Sequence, residues 1–261
     1  MKPIFTIIIL FYFSFSFSQN ILIEYNLTVN SNQKALSYSK DYTLLINNNK
    51  SLFYNGNNDI NKLNDIRYME KKFKAGDVSI IKIDDYHYGY DKKDAFYKDY
   101  IKDTLLYNEV LSTKKRILGE KINLFKWELQ SESDTLILGF KCQKAITKFR
   151  GRNYVAYFSN EIAHYGGPWK FDGLPGIILS VKSTDDYFII EPKKIILNKK
   201  NNFLNPYSKA TVYSWLDFRN QYIALFKKQL KRAKASSEPG ETGSIKISDR
   251  IEDLKIPEMK Y

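Results

Sequence analysis

The chain has 261 residues, with 41 Lys and Arg against 29 Asp and Glu, a net charge of +12, and 43% hydrophobic residues. That balance excludes general disorder and leaves enough chain for one large domain or two small ones. Two His and one Cys leave almost no material for a His/Cys metal site and none for an internal disulfide, while 20 Tyr and 17 Phe favour strands over helices.

Lys2 precedes an apolar stretch, Ile4–Phe13, which grades into Ser14–Ser18. Small residues at Ser16 and Ser18 place signal-peptide cleavage between Ser18 and Gln19. The stretch is shorter than the ~20 residues a spanning helix takes. No later segment reaches that length, so no transmembrane segment is expected after cleavage. Residues 1–18 therefore read as an export signal, 19–235 as a single β-rich domain, and 236–261 as a polar, flexible tail.

Ile21, Ile23, Tyr25, Leu27 and Val29 alternate with their neighbours at the period of a half-buried strand. Further strands are expected at Tyr42–Ile46, Ser51–Tyr54, Val78–Ile83, Tyr86–Tyr90, Phe125–Leu129, Leu136–Phe140, Arg152–Ser159, Ile177–Val181 and Tyr187–Ile195. Asn47–Lys50 reads as a hairpin turn. Asn55–Gly76 is a long polar loop or a short exposed helix, and Asp91–Tyr107 fits no element. Over Lys209–Lys234, Val212, Trp215, Leu216, Tyr222, Ile223, Phe226 and Leu230 recur at helical spacing. Close-spaced short strands with turn residues between them argue for an antiparallel meander. The fold class is mainly β (α+β): a curved antiparallel sheet or half-barrel, with one long amphipathic helix in the C-terminal half.

Phosphate loops, nucleophile elbows and zinc motifs are absent from the sequence. Glu161 and His164 lie next to Gly166-Gly167-Pro168, where helical spacing does not apply, and Cys142 has no local activator. No catalytic residue, metal or cofactor is assigned. Lys and Arg are spread along the chain apart from the helix end, Lys227–Lys234, which suits the helix dipole. Nucleic acid is therefore not favoured as a partner.

The most informative stretch is Gly166–Ile178. Leu174-Pro175-Gly176-Ile177 carries a type II turn signature, with Gly176 expected at positive φ. Gly166-Gly167-Pro168 makes an earlier bend, so Trp169 and Phe171 sit between two rigid corners. They are either an aromatic plug for one end of the β-core or a contact surface. The candidates for ligand or partner contact are Pro168, Trp169, Phe171, Gly173, Leu174, Pro175 and Gly176.

Gly173-Leu174-Pro175-Gly176-Ile177-Ile178 resembles the signature of the GLPGLI family, with Ile177 in place of Leu. The approach Gly167–Phe171 and the upstream block Gly139–Ala145, leading through Arg150-Gly151-Arg152 to Tyr154–Phe158, are also similar. Ala163 follows Ile162 where the family often has Pro. The resemblance covers Phe125–Ile195. It implies an exported protein of a Bacteroidetes-type bacterium, in the periplasm or outer-membrane region, and carries over no catalytic residue. The function expected is a non-enzymatic binding or accessory module of the cell envelope, taking an apolar ligand or an envelope protein. The alternatives are a structural partner of an outer-membrane assembly and an envelope hydrolase whose site converges only in three dimensions.

Overall fold

The structure, a computed structural model, describes residues 20–31, 37–47, 49–55, 94–111, 114–236, 244–245, 250–255 and 259–260. The export signal, the strands expected at Val78–Ile83 and Tyr86–Tyr90, and nearly all of Asn55–Gly76 lie outside these residues.

Strand β1 occupies Ile21–Val29, as its alternation predicts, and all five odd-numbered side chains are buried. It is followed by β2 (Tyr38–Asn47), β3 (Lys50–Asn55), β4 (Ala95–Asp99), β5 (Thr104–Leu111) and β6 (Lys114–Glu120). A second run comprises β7 (Glu128–Ile137), β8 (Phe140–Phe149), β9 (Arg152–Ser159), β10 (Ile177–Ser183) and β11 (Phe188–Leu197). Within each run neighbours in sequence pair antiparallel. Antiparallel pairing of β1 with β11 joins the two runs into one open, curved sheet of order β12-β6-β5-β4-β3-β2-β1-β11-β10-β9-β8-β7. The short β12 (Val212–Ser214) is the exception, running parallel to β6. Two dipeptides, β13 (Ser244–Ile245) and β14 (Met259–Lys260), pair separately.

Two expected strands are corrected. Leu138 and Gly139, at φ of 49° and 87°, form the hairpin turn between β7 and β8, so Leu136–Phe140 is not one strand. In Phe125–Leu129 the ladder starts only at Glu128; Phe125 and Trp127 belong to an irregular crossover that turns its rings into the core. The unassigned Asp91–Tyr107 holds β4 and the start of β5.

Helix α1 spans Trp215–Ser236 rather than starting at Lys209. Its start is fixed by a capping box: the Asp217 amide donates to Ser214 Oγ at 3.0 Å, and the Ser214 amide donates back to Asp217 Oδ2 at 3.2 Å. Phe218, Tyr222 and Phe226 are buried at four-residue steps. Leu216 of the expected apolar stripe is 59% exposed, and Val212 lies in β12. The helix packs on β5, β6 and β12. No helix among the described residues is long and apolar enough to cross a membrane.

The main core lies inside the curve, between β1, β2, β8–β11 and the loop that joins β9 to β10. A second cluster lies between β5, β6 and α1. On the opposite face of β3–β5, Leu52, Tyr97 and Leu106 are covered by Tyr207, whose hydroxyl donates to the Ala95 carbonyl at 2.7 Å.

Candidate functional site

After β9 the chain is exposed at Asn160, Glu161, Ala163 and Tyr165 and then turns inward. From Gly166 to Asp172 every residue is buried. The path starts at Gly166, with φ of +110° and a carbonyl that accepts from the Ile178 amide at 2.8 Å. A Cβ on Gly166 would run into the Tyr100 hydroxyl. The Phe171 amide then donates to the Pro168 carbonyl at 3.1 Å, closing a turn whose second residue is Trp169.

Trp169 has a φ of +53°, a conformation that costs a bulky residue about 1–3 kcal/mol. Packing holds it there: its ring centroid lies 5.0 Å from Phe171, 5.2 Å from Phe188 and 6.2 Å from Phe96. Phe171 in turn meets Phe125 at 4.9 Å and Tyr154 at 5.2 Å.

The intervening side chains enter two buried ion clusters. Lys98 on β4, fully buried, donates to the carbonyls of Gly167 (3.1 Å) and Phe171 (2.6 Å) and to Asp172 Oδ2 (2.9 Å). One ammonium thus pins both ends of the turn. Burial pushes the Lys98 pKa below its ordinary value, and Asp172 works the other way. The Tyr100 hydroxyl also donates to Asp172 Oδ2, at 3.0 Å, and the Trp127 ring N–H donates to the Asp172 carbonyl at 2.7 Å.

Lys170 points to the other cluster. Its ammonium lies 2.7 Å from Glu252 Oε1, 4.0 Å from Glu120 Oε2 and 3.8 Å over the Tyr107 ring. Arg150 pairs with both Glu120 and Glu252, and the Tyr107 hydroxyl donates to Glu120 at 2.6 Å. Burial by itself would raise the Glu252 pKa; the charges of Lys170 and Arg150 outweigh it and hold the carboxyl below its usual range.

Gly176 is not at positive φ, which corrects the type II turn expectation. Within Gly173–Ile178 the left-handed glycine is Gly173, at φ of 89°. Gly176 is needed for space instead, because a Cβ there would strike the Ser159 carbonyl.

Two openings meet this loop. A cleft of about 100 Å³ inside the curve of the sheet is lined by Trp169, Phe96 and Phe188, with Lys40, Asp94, Asn108, Glu109 and Arg250 among its polar groups. A wider groove of about 400 Å³ is lined by Tyr100, Tyr165, Asn123, Asp172 and Gly173–Pro175. The seven sequence candidates therefore divide. Trp169 lines the cleft; Gly173, Leu174 and Pro175 line the groove; Pro168, Phe171 and Gly176 line neither. Among the seven, only Gly173 and Pro175 are exposed.

The fold is similar to that of PNGF-II. Two crystal forms of that protein, P21 and C2, match at TM-scores of 0.51 and 0.50, with 14% and 13% sequence identity. Each match covers 79% of this chain and 33% of the other, so this chain spans about a third of the length of the PNGF-II structures. At such identities the likeness is one of fold. No family model matches the sequence, and no curated protein matches it significantly.

Among the described residues, no three of His, Cys, Asp and Glu gather as metal ligands would. Cys142 is buried, and burial pushes its thiol up to about 11. The residues that sequence reading missed are Lys98, Arg150, Glu120 and Glu252. Lys98 could have been found: at period two it shares the face of Phe96, an odd place for a solvated lysine. Glu252 carries no such signal, since it sits within the stretch expected as a flexible tail.

Proposed function

We propose that this chain is an exported GLPGLI-family protein that works in the cell envelope, in the periplasm or at the outer membrane, as a non-enzymatic binding module. In this reading the cleft beside Trp169 takes one apolar group of a ligand or of an envelope protein. The observation that carries the reading is the lining of that cleft, in which the aromatic rings of Trp169, Phe96 and Phe188 stand together with several polar side chains. A cavity of about 150 Å³ accepts benzene. At about 100 Å³, this one suits a short branched alkyl group or part of one ring, with the rest of the molecule outside near Lys40 and Asp94.

An envelope hydrolase is the second reading, favoured by one observation. Glu109 and Glu252 line the same cleft with pKa values displaced in opposite directions. Burial raises Glu109, helped by Glu252 and Asp94 and opposed by Arg250 and Lys170. Binding is the better reading because the Glu252 oxygens already accept from Lys170, Arg150 and the Trp215 ring N–H, which makes Glu252 a structural anion.

Native mass spectrometry of Gln19–Tyr261 from an exporting host is expected to show excess mass that disappears on denaturation. The defined probe is 4-fluorobenzyl alcohol, followed by fluorine NMR. Val110→Phe, which fills the cleft from a half-buried position on β5, should weaken probe binding about tenfold, equivalent to ~1.4 kcal/mol, at an unchanged melting temperature. Equal binding by wild type and V110F would remove the cleft from this reading.

A further inference from the structure

The segment Arg250–Lys255 is held by the rest of the chain in the manner of a bound peptide. It pairs with no strand of the large sheet. Instead, arginine side chains take its carbonyls: Arg152 donates to Arg250 O (3.0 Å) and Ile251 O (3.2 Å), and Arg219 to Leu254 O (2.7 Å) and Lys255 O (3.3 Å). The Asp253 amide donates to the Arg150 carbonyl at 2.8 Å. Gly151 gives the segment room, since a Cβ there would lie 2.5 Å from the Asp253 Cβ.

Two side chains act as anchors. Glu252 enters the pocket made by Lys170 (2.7 Å), Arg150 (3.0 Å) and the Trp215 ring N–H (3.3 Å). Leu254, 3% exposed, joins the cluster of Leu105, Phe218 and Tyr222. The segment also contributes Arg250, Ile251 and Glu252 to the wall of the Trp169 cleft, with Arg250 Nη2 3.4 Å from Glu109.

We propose that Arg250–Lys255 is an intramolecular ligand, a Glu-x-Leu peptide seated in a groove of the β-domain, and that its release widens the Trp169 cleft. The groove recognises the carbonyls of a bent backbone through Arg152 and Arg219, an acid through Lys170 and Arg150, and an apolar side chain two residues later. This is peptide recognition by backbone hydrogen bonds plus spaced anchor pockets. Among the described residues, Arg250–Lys255 takes part in no β-ladder, so it can leave without breaking one. The widening of the cleft rests on the reading of that cleft as the binding site; the docking of the segment does not.

Hydrogen exchange on the full chain tests the docking. Amides of 250–255 are expected to exchange at least about a hundredfold faster than those of β1 and β11, through an opening that leaves the sheet intact. Exchange of the segment only at the rate of those strands would overturn the proposal, whatever any variant does. In the full-length double variant E252Q/L254A, sheet protection should be retained. A synthetic Arg-Ile-Glu-Asp-Leu-Lys peptide should then bind at least about tenfold more tightly than to wild type, where the cis segment competes. A peptide with Gln at its third position should not bind. Equal binding of both peptides would also overturn the proposal. Binding of 4-fluorobenzyl alcohol should rise several-fold in the double variant. No rise would overturn the gating role alone, and wild-type probe binding, compared with V110F, reports separately on the cleft.

Discussion

Lys98 and Asp172 lie 74 residues apart in sequence and meet with side chains 0% and 3% exposed. The ammonium donates to three acceptors, so its desolvation is offset by a complete set of charge-assisted hydrogen bonds. Breaking such a pair from one side is costly, because the remaining charge stays buried. Lys98→Met is therefore expected to lower stability by about 3–5 kcal/mol in denaturant unfolding. It strands the Asp172 carboxylate and leaves two carbonyls short of a donor. A loss below about 1 kcal/mol would mean that water reaches the site and replaces the ammonium. The same reasoning explains the two aromatic candidates. Trp169 and Phe171 look like contact residues in sequence, but the turn they occupy is held from within, and only Trp169 borders an opening.

At the scale of elements, period-two alternation predicts β1 and β9 to the residue, because both have one face in the main core. It fails at Leu138-Gly139, where an apolar residue occupies a hairpin turn and keeps the hydrophobic run unbroken. It is silent on β6, whose side chains are mostly half-buried and whose sequence is mixed. For the helix, spacing locates the buried face, whereas the cap sets the boundary. Ser214→Ala removes the hydroxyl that accepts from the Asp217 amide and is expected to cost about 1 kcal/mol, read as a lower melting temperature. An unchanged melting temperature would show that the first turn of α1 is held by Trp215 packing instead.

Across the whole molecule the buried charges set a pH dependence. Glu252 has its pKa lowered in the fold, so the folded state binds fewer protons there than the unfolded chain. Its contribution is present above the ordinary carboxylate value and is lost as pH falls through the lowered one. Glu109 is displaced upward, so stability falls as pH rises from the ordinary value through the raised one. Melting temperature against pH should therefore fall on the acid side, and E252Q should be less stable near neutrality with a flatter acid limb. An acid limb of the same slope in E252Q would assign it to other carboxylates.

What the sequence by itself determines here is local. Alternation, turn residues and helical spacing are written within a few residues of each other, which is why a mainly β fold with one C-terminal helix is legible without coordinates. The Gly-Pro and Pro-Gly corners also mark the loop that matters. Only the tertiary structure decides which side of that loop is dry and which residues pin it. Lys170 meets a glutamate 82 residues away, in a stretch whose composition reads as tail. Charge pairing at that range depends on where strands β4, β8 and β9 bring the chain, and the sheet sets that placement through pairings that no local pattern records.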